Sequence, residues 1–207
     1  MIKKLYVLPL LLLALSFVAC DETEEPSKYD NWRERNEAFI DSLQQVVDAK
    51  SDPELKALQY RRDKKCNIFY KKIVSVPEGE RPVYTSTVSC FYRGMFIDEA
   101  IFAAAPSGTT FYTTLWEQLT VFDKNTMKHG YDPTPLDSPA SFYIQSFYTD
   151  PVDSVPAWAD ILENMRVGER WEVYIPWQAA YGGSDYKDIP GYSTLMFDII
   201  LYRIEKR

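Results

Sequence analysis

The chain has 207 residues, 46% hydrophobic, 15% aromatic and 26% charged, a balance that excludes wholesale disorder, collagen-like repeats and a polytopic membrane protein. Lys plus Arg number 23 and Asp plus Glu 30, so the net charge of −7 argues against attraction to nucleic acid phosphates. A single histidine, His129, excludes a His-rich metal centre and a Ser-His-Asp triad, so any chemistry here has to proceed without those charged groups.

At the amino terminus Lys3 and Lys4 precede an apolar run from Leu5 to Ala19 that ends at Cys20. A basic start, an apolar stretch and a small residue before the cleavage point describe a secretory signal peptide, and the run is shorter than the roughly 20 residues that a bilayer span needs. The string LSFVAC is similar to a bacterial lipobox, which implies cleavage before Cys20 and acylation of that cysteine. Acyl chains there imply stable membrane attachment, each buried CH₂ contributing roughly 0.8 kcal/mol. The acidic, apolar-poor DETEEPSK that follows reads as a solvated tether and also resembles the surface-export signal of Bacteroidetes lipoproteins. Residues 1–19 are thus expected to be a signal peptide and 20–29 a tether. The expected location is the cell envelope, with the chain lipid-anchored at the outer membrane or the cell surface.

Asp30 or Asn31 can cap a helix whose apolar residues Trp32, Phe39, Leu43, Val46 and Val47 share one stripe at 3.6 residues per turn. Asp52-Pro53 is expected to restart a helix with Leu55 and Leu58 facing inward, and the basic cluster Arg61 to Lys65 reads as its solvated end. Residues 30–66 would then form a helical extension. From Asn67 the period changes to that of strands, in IFYKKIVSV and VYTSTVSCFYRGMF, separated by the turn-like Pro77-Glu78-Gly79. Later, Trp158, Ile161, Leu162 and Met165 form a helical stripe that Asp153 or Ser154 can cap, with Pro156 in the first turn and Gly168 closing it. In ERWEVYIP, Trp171, Val173 and Ile175 share a face, and STLMFDIILYRI, apolar on both faces, is expected to be a central strand. Strands, one helix and more strands predict an antiparallel α+β domain with the helix on one sheet face. Cys66 and Cys90 are too few to define a disulfide framework, and Cys90 shares the strand parity of Val88 and Tyr92, as a small buried apolar residue would.

The stretch from Val155 to Ile204 resembles an FKBP-type peptidyl-prolyl isomerase domain. Its matching pieces are Val155, Pro156 and Trp158, then Met165, Val167 and Gly168, Ile175-Pro176, Ala180-Tyr181-Gly182, Ile189-Pro190, Ser193-Thr194-Leu195 and Phe197-Asp198. NIFYKKIVSV and the strand with Tyr92 and Gly94 fit the start of the same domain, which would span residues 67–207. The resemblance implies an FKBP-like antiparallel sheet curved around one helix. The family's Phe-Asp strand has two candidates, Phe102-Ala103 at the family distance and Phe122-Asp123 with the family pattern. The second is preferred, and it makes Ile97 to Leu119 a long inserted hairpin with FYTTLW as a strand.

Carried over position by position, the resemblance makes Trp158 the floor of an apolar pocket and Tyr92, Phe122 and Phe197 its walls. It has Tyr181 offering a hydroxyl to a substrate carbonyl, the Val155 N–H as a second donor, and Asp123 orienting neighbouring polar groups. Phe142 and Ile189 complete the substrate-binding set. The implied activity is cis-trans isomerisation of X–Pro bonds in exported, proline-containing polypeptides, with no cofactor and no metal. Two other readings stand beside it: a catalytically silent FKBP-like lipoprotein that captures a protein partner through an exposed 97–119 hairpin, and a carbohydrate-handling surface lipoprotein.

Overall fold

A computed structural model describes residues 27–125, 131–150 and 154–206. The signal peptide, Cys20 and most of the tether lie outside the described residues, as do His129 and Asp153. No helix among the described residues is long and apolar enough to cross a membrane.

In chain order the elements are helix α1 (Trp32–Ala49), strands β1 (Lys56–Gln59), β2 (Asn67–Val74) and β3 (Thr87–Phe96), and helix α2 (Glu99–Ala103). A 3-10 turn at Tyr112–Leu115, β4 (Val121–Lys124), β5 (Ala140–Tyr143), α3 (Ser146–Thr149) and α4 (Ala157–Asn164) follow. The chain ends with β6 (Arg170–Ile175), a 3-10 turn at Trp177–Ala179 and β7 (Leu195–Lys206). The strands form one seven-stranded sheet in the order β1-β2-β6-β7-β3-β4, with β5 also paired to β3, and every pairing is antiparallel. The expected α+β architecture, with β7 in the interior of the sheet, is the one observed.

Strand alternation divides the core in two. Trp171, Val173 and Ile175 of β6 and Phe197, Ile199 and Leu201 of β7 face α4, whose Trp158, Ile161 and Leu162, with Met165 just beyond its end, are buried among them. The opposite face presents Phe69, Met95, Tyr174 and Met196, and α1 covers it with Leu43, Phe39 and Ile40. Asn36, fully buried on α1, accepts from the Thr194 N–H at 2.7 Å, and the Trp32 indole donates to Ser193 at 3.0 Å. The helix is therefore docked on the outer sheet face just ahead of β7.

Several local expectations are corrected. Residues 52–58 are a turn and an edge strand, not a helix. The Asp52 carboxylate accepts from the Glu54 N–H at 2.9 Å, an Asx turn, and β1 then pairs with β2. Leu55 and Leu58, which a helix would put on one face, go instead to the outer and inner cores, as strand alternation demands. Arg61 and Arg62 are consequently not a solvated helix end. Arg61 pairs with Asp160 and Glu163, and Arg62 donates to the carbonyls of Phe147 and Tyr148. Helix α4 is entered through Pro156 without a side-chain cap, Ser154 donating instead to the Asp150 carbonyl. Gly168, with φ of +88°, lies in the turn beyond the helix, where its N–H donates to Leu201 at 2.8 Å.

The expected 97–119 hairpin is also absent. Asp98 caps α2 by accepting from Ile101, Phe102 stacks on Tyr112 at 4.2 Å, and Leu115 and Leu119 are buried against the outer face. Thr113 donates both its N–H, at 2.7 Å, and its hydroxyl, at 2.9 Å, to the buried Glu172 carboxylate, to which the Tyr174 hydroxyl also donates. Burial raises the Glu172 pKa in spite of those three donors. Beside it Arg170 forms a bidentate pair with buried Asp198 at 2.8 and 2.6 Å and donates to Asp132 and the Tyr131 carbonyl. The insertion is a second, partly polar core, and Phe111, Tyr112 and Trp116 are half-buried in it. The exposed apolar hairpin that partner capture would require is not present.

Cys66 and Cys90 are both buried and free, and burial pushes the Cys66 thiol up to about 12 and raises that of Cys90 as well.

Candidate functional site

Between the β3–β4–β5 side of the sheet and the start of α4 lies a cavity of about 260 Å³. Strand β7 contributes Phe197, β3 Tyr92, β4 Phe122 and Asp123, and β5 Phe142. Val155 and Trp158 come from the entry and first turn of α4, and Tyr181 from the loop after the second 3-10 turn. Eight of the nine residues singled out in the sequence thus meet around one hollow, although they are up to 105 positions apart. Ile189 does not line it. That residue is buried in the adjoining core, its backbone paired with Tyr186.

Trp158 forms the floor. Its ring lies edge-on to Tyr92 and to Phe197, each 5.3 Å away, with Phe142 at 5.2 Å and Phe147 at 5.9 Å. Phe122 meets Phe197 edge-on at 5.6 Å and closes one wall. Such edge-to-face arrangements suit the aromatic quadrupole, so the rings support one another and leave the centre open. The Trp158 indole N–H is buried and has no hydrogen-bond partner among the described residues.

Polar groups enter at one edge. The Tyr92 hydroxyl donates to Asp123 at 2.8 Å, and burial together with the Asp123 carboxylate raises the Tyr92 pKa, keeping it a neutral donor. Asn125 fastens the β4 end to β3, accepting from the Tyr92 N–H and donating to the Cys90 carbonyl, both at 2.8 Å. This decides between the two Phe-Asp candidates. Phe122-Asp123 sits beside Tyr92, whereas Phe102 is buried in the outer core.

Gly94 explains how two walls approach so closely. A Cβ there would lie 2.6 Å from the Phe122 ring and 2.7 Å from the Phe197 ring. Gly94→Ala is expected to push both rings into the hollow, lowering affinity for a pocket ligand several-fold and costing about 1–3 kcal/mol of stability. Ligand titration and chemical denaturation of the variant measure the two effects.

Three lining residues escaped sequence reasoning: Ser146 and Phe147 of α3, and Ser154. Nothing in the sequence pattern between Phe142 and Trp158 says that Phe147 turns inward. Arg62 explains the turn by holding the Phe147 and Tyr148 carbonyls. No group of three or more His, Cys, Asp or Glu positioned to hold a metal occurs among the described residues.

A helix packed on one face of an antiparallel sheet, with an aromatic hollow at the helix entry, makes this an α+β domain with a built pocket. Residues 107–202 match the family model described as FKBP-type peptidyl-prolyl cis-trans isomerase. It is 30% identical over 135 residues to the FKBP-type 22 kDa peptidyl-prolyl cis-trans isomerase of Escherichia coli (strain K12), a match covering 64% of this chain and 48% of that protein. It is 29% identical over 136 residues to Outer membrane protein MIP of Legionella longbeachae, covering 65% of this chain and 43% of that one. The chain thus spans about half the length of these relatives. In fold it is similar to a peptidyl-prolyl cis-trans isomerase from Pseudomonas syringae pv. tomato, with a TM-score of 0.55, 18% identity, and coverage of 88% of this chain and 99% of that chain.

Proposed function

We propose that this chain is a peptidyl-prolyl cis-trans isomerase acting on X–Pro bonds of exported polypeptides from a lipid anchor on Cys20 in the cell envelope. The observation that carries the reading is the open hollow floored by Trp158, whose buried indole N–H has no partner among the described residues. A barrier of ~18–20 kcal/mol opposes rotation about the imide bond, because resonance keeps it planar and polar. Twisting the bond breaks that resonance and reduces its charge separation. An apolar hollow therefore disfavours the planar ground state more than the twisted one, which is differential binding of the transition state. Lowering the barrier by about 5 kcal/mol accelerates rotation some thousands-fold. No nucleophile or proton transfer is required of the chain.

In this reading Trp158, Phe197, Phe122 and Phe142 hold the prolyl ring. The Val155 N–H and the Tyr181 hydroxyl donate to carbonyls flanking the bond, and Asp123 fixes the Tyr92 phenol. Ser146, Phe147 and Ser154 extend the pocket toward the residues on one side of proline. The support for the anchor is the sequence around Cys20 and the acidic tether after it. A relative carrying the words outer membrane in its name agrees with that placement.

The test is isomerisation of a short X–Pro peptide followed by protease-coupled absorbance. A wild-type rate no faster than the spontaneous one would sink the proposal. Tyr181→Phe removes one donor and is expected to lower kcat/KM by roughly three- to tenfold, the worth of a neutral hydrogen bond. Metabolic labelling with a palmitate analogue, lost in Cys20→Ser, checks the anchor.

A further inference from the structure

Tyr181 enters the hollow from a loop, and a loop by itself is a poor support for a hydrogen-bond donor that has to meet a carbonyl within a few tenths of an ångström. Here the ring is held flat against a second tyrosine. The rings of Tyr181 and Tyr186 stack with centroids 4.1 Å apart and planes 9° from parallel. Tyr186 does not line the hollow. Its place is set by a miniature hairpin, in which the Tyr186 N–H donates to the Ile189 carbonyl and the Ile189 N–H returns the bond, both at 2.9 Å. Lys187 and Asp188 make the two-residue turn, Lys187 in the left-handed region at φ 51°. Buried Ile189 anchors this hairpin to the core, and the Lys187 ammonium lies 4.8 Å from the centre of the Tyr186 ring. The base of the loop is tied by Tyr192 N–H to the Gly182 carbonyl and Gly182 N–H to the Trp177 carbonyl, both at 2.9 Å.

We propose that Tyr186 is a positioning residue that sets the plane of the Tyr181 ring, and through it the aim of the hydroxyl at the substrate carbonyl. The inference rests on the isomerase reading above and goes beyond it, because Tyr186 touches neither the substrate nor the floor of the hollow. A donor swung by about an ångström loses most of its value in the transition state, so freeing the ring acts on kcat. It also gives Ile189 a role other than lining: it holds down the hairpin that carries the stack.

The experiment is a double-mutant cycle on the full chain with an X–Pro peptide, using wild type, Tyr186→Ala, Tyr181→Phe and the double variant, with Tyr186→Phe as the conservative replacement. Tyr186→Ala is expected to lower kcat about three- to fivefold with KM little changed, and Tyr186→Phe, which keeps the stacked ring, to restore the rate. In the Tyr181→Phe background, where no hydroxyl remains to aim, Tyr186→Ala is expected to change the rate by less than about 1.5-fold. An equal loss in both backgrounds would show general loosening of the loop and overturn the inference, as would no loss in either or a Tyr186→Phe variant as slow as the alanine one. Absence of any wild-type rate would instead overturn the isomerase reading itself, and the positioning role with it.

Discussion

Trp158→Ala is expected to abolish most of the isomerase rate, lowering kcat/KM by at least about 30-fold, the order of a 2 kcal/mol loss. Trp158 touches Tyr92, Phe142, Phe147 and Phe197, so no other wall can replace it as the surface on which a prolyl ring rests. Truncation also opens a cavity beneath α4 and is expected to cost about 3–5 kcal/mol of folding stability, as large-to-small changes at buried aromatics do. The two effects separate with Trp158→Phe, which keeps an apolar floor and should retain a larger share of both rate and stability. Protease-coupled isomerisation and urea denaturation of the three proteins measure this. A folded Trp158→Ala protein with an undiminished rate would show that the hollow is not where the bond turns.

Arg170→Met is expected to produce the largest loss of stability on the other face of the sheet, about 3–5 kcal/mol, because it strands the Asp198 carboxylate without its cation. Asp198 is wholly buried, and the bidentate pair is its principal compensation. Burial works against the Arg170 charge, yet the hydrogen bonds and charge of Asp198 keep its pKa above the ordinary range. Adding Asp198→Asn removes the stranded charge and should restore a good part of the loss. Arg170 lies outside the hollow, so the rate per folded molecule is expected to stay unchanged. Thermal or urea unfolding of the single and double variants gives the coupling energy. A loss below about 1 kcal/mol would mean that water reaches Asp198 and that the cover formed by residues 131–132 is loose.

How far the chain could be read before folding varied with the range of the interaction. The stripes of α1 and α4 and the alternation of β6 and β7 are local, since one side chain in every three or four, or every two, has to leave water. The nine pocket positions were legible because a family resemblance spans the segments that carry them, and eight of them meet. Ile189 was misplaced by the same resemblance: its spacing fits, but the Lys187-Asp188 turn directs it into the core. Asp52-Pro53 carries the residues of a helix start, yet the pull of an open β2 edge made Leu55 and Leu58 face opposite ways. FYTTLW reads as strand by composition and folds as a turn because Glu172, 59 positions after Thr113, needs donors.

By itself, therefore, the amino-acid order determined the α+β class, the burial of the central strand and the set of aromatic residues from which a pocket could be built. Tertiary structure alone decided that Phe122-Asp123 and not Phe102-Ala103 stands beside Tyr92, that residues 97–119 close over the outer sheet face, and that Tyr186 lies flat on Tyr181. The physical reason is that solvent aversion and hydrogen-bond period act between neighbours. The partner of a buried carboxylate, or of a stacked ring, is chosen by whatever the finished packing brings within about 4 Å.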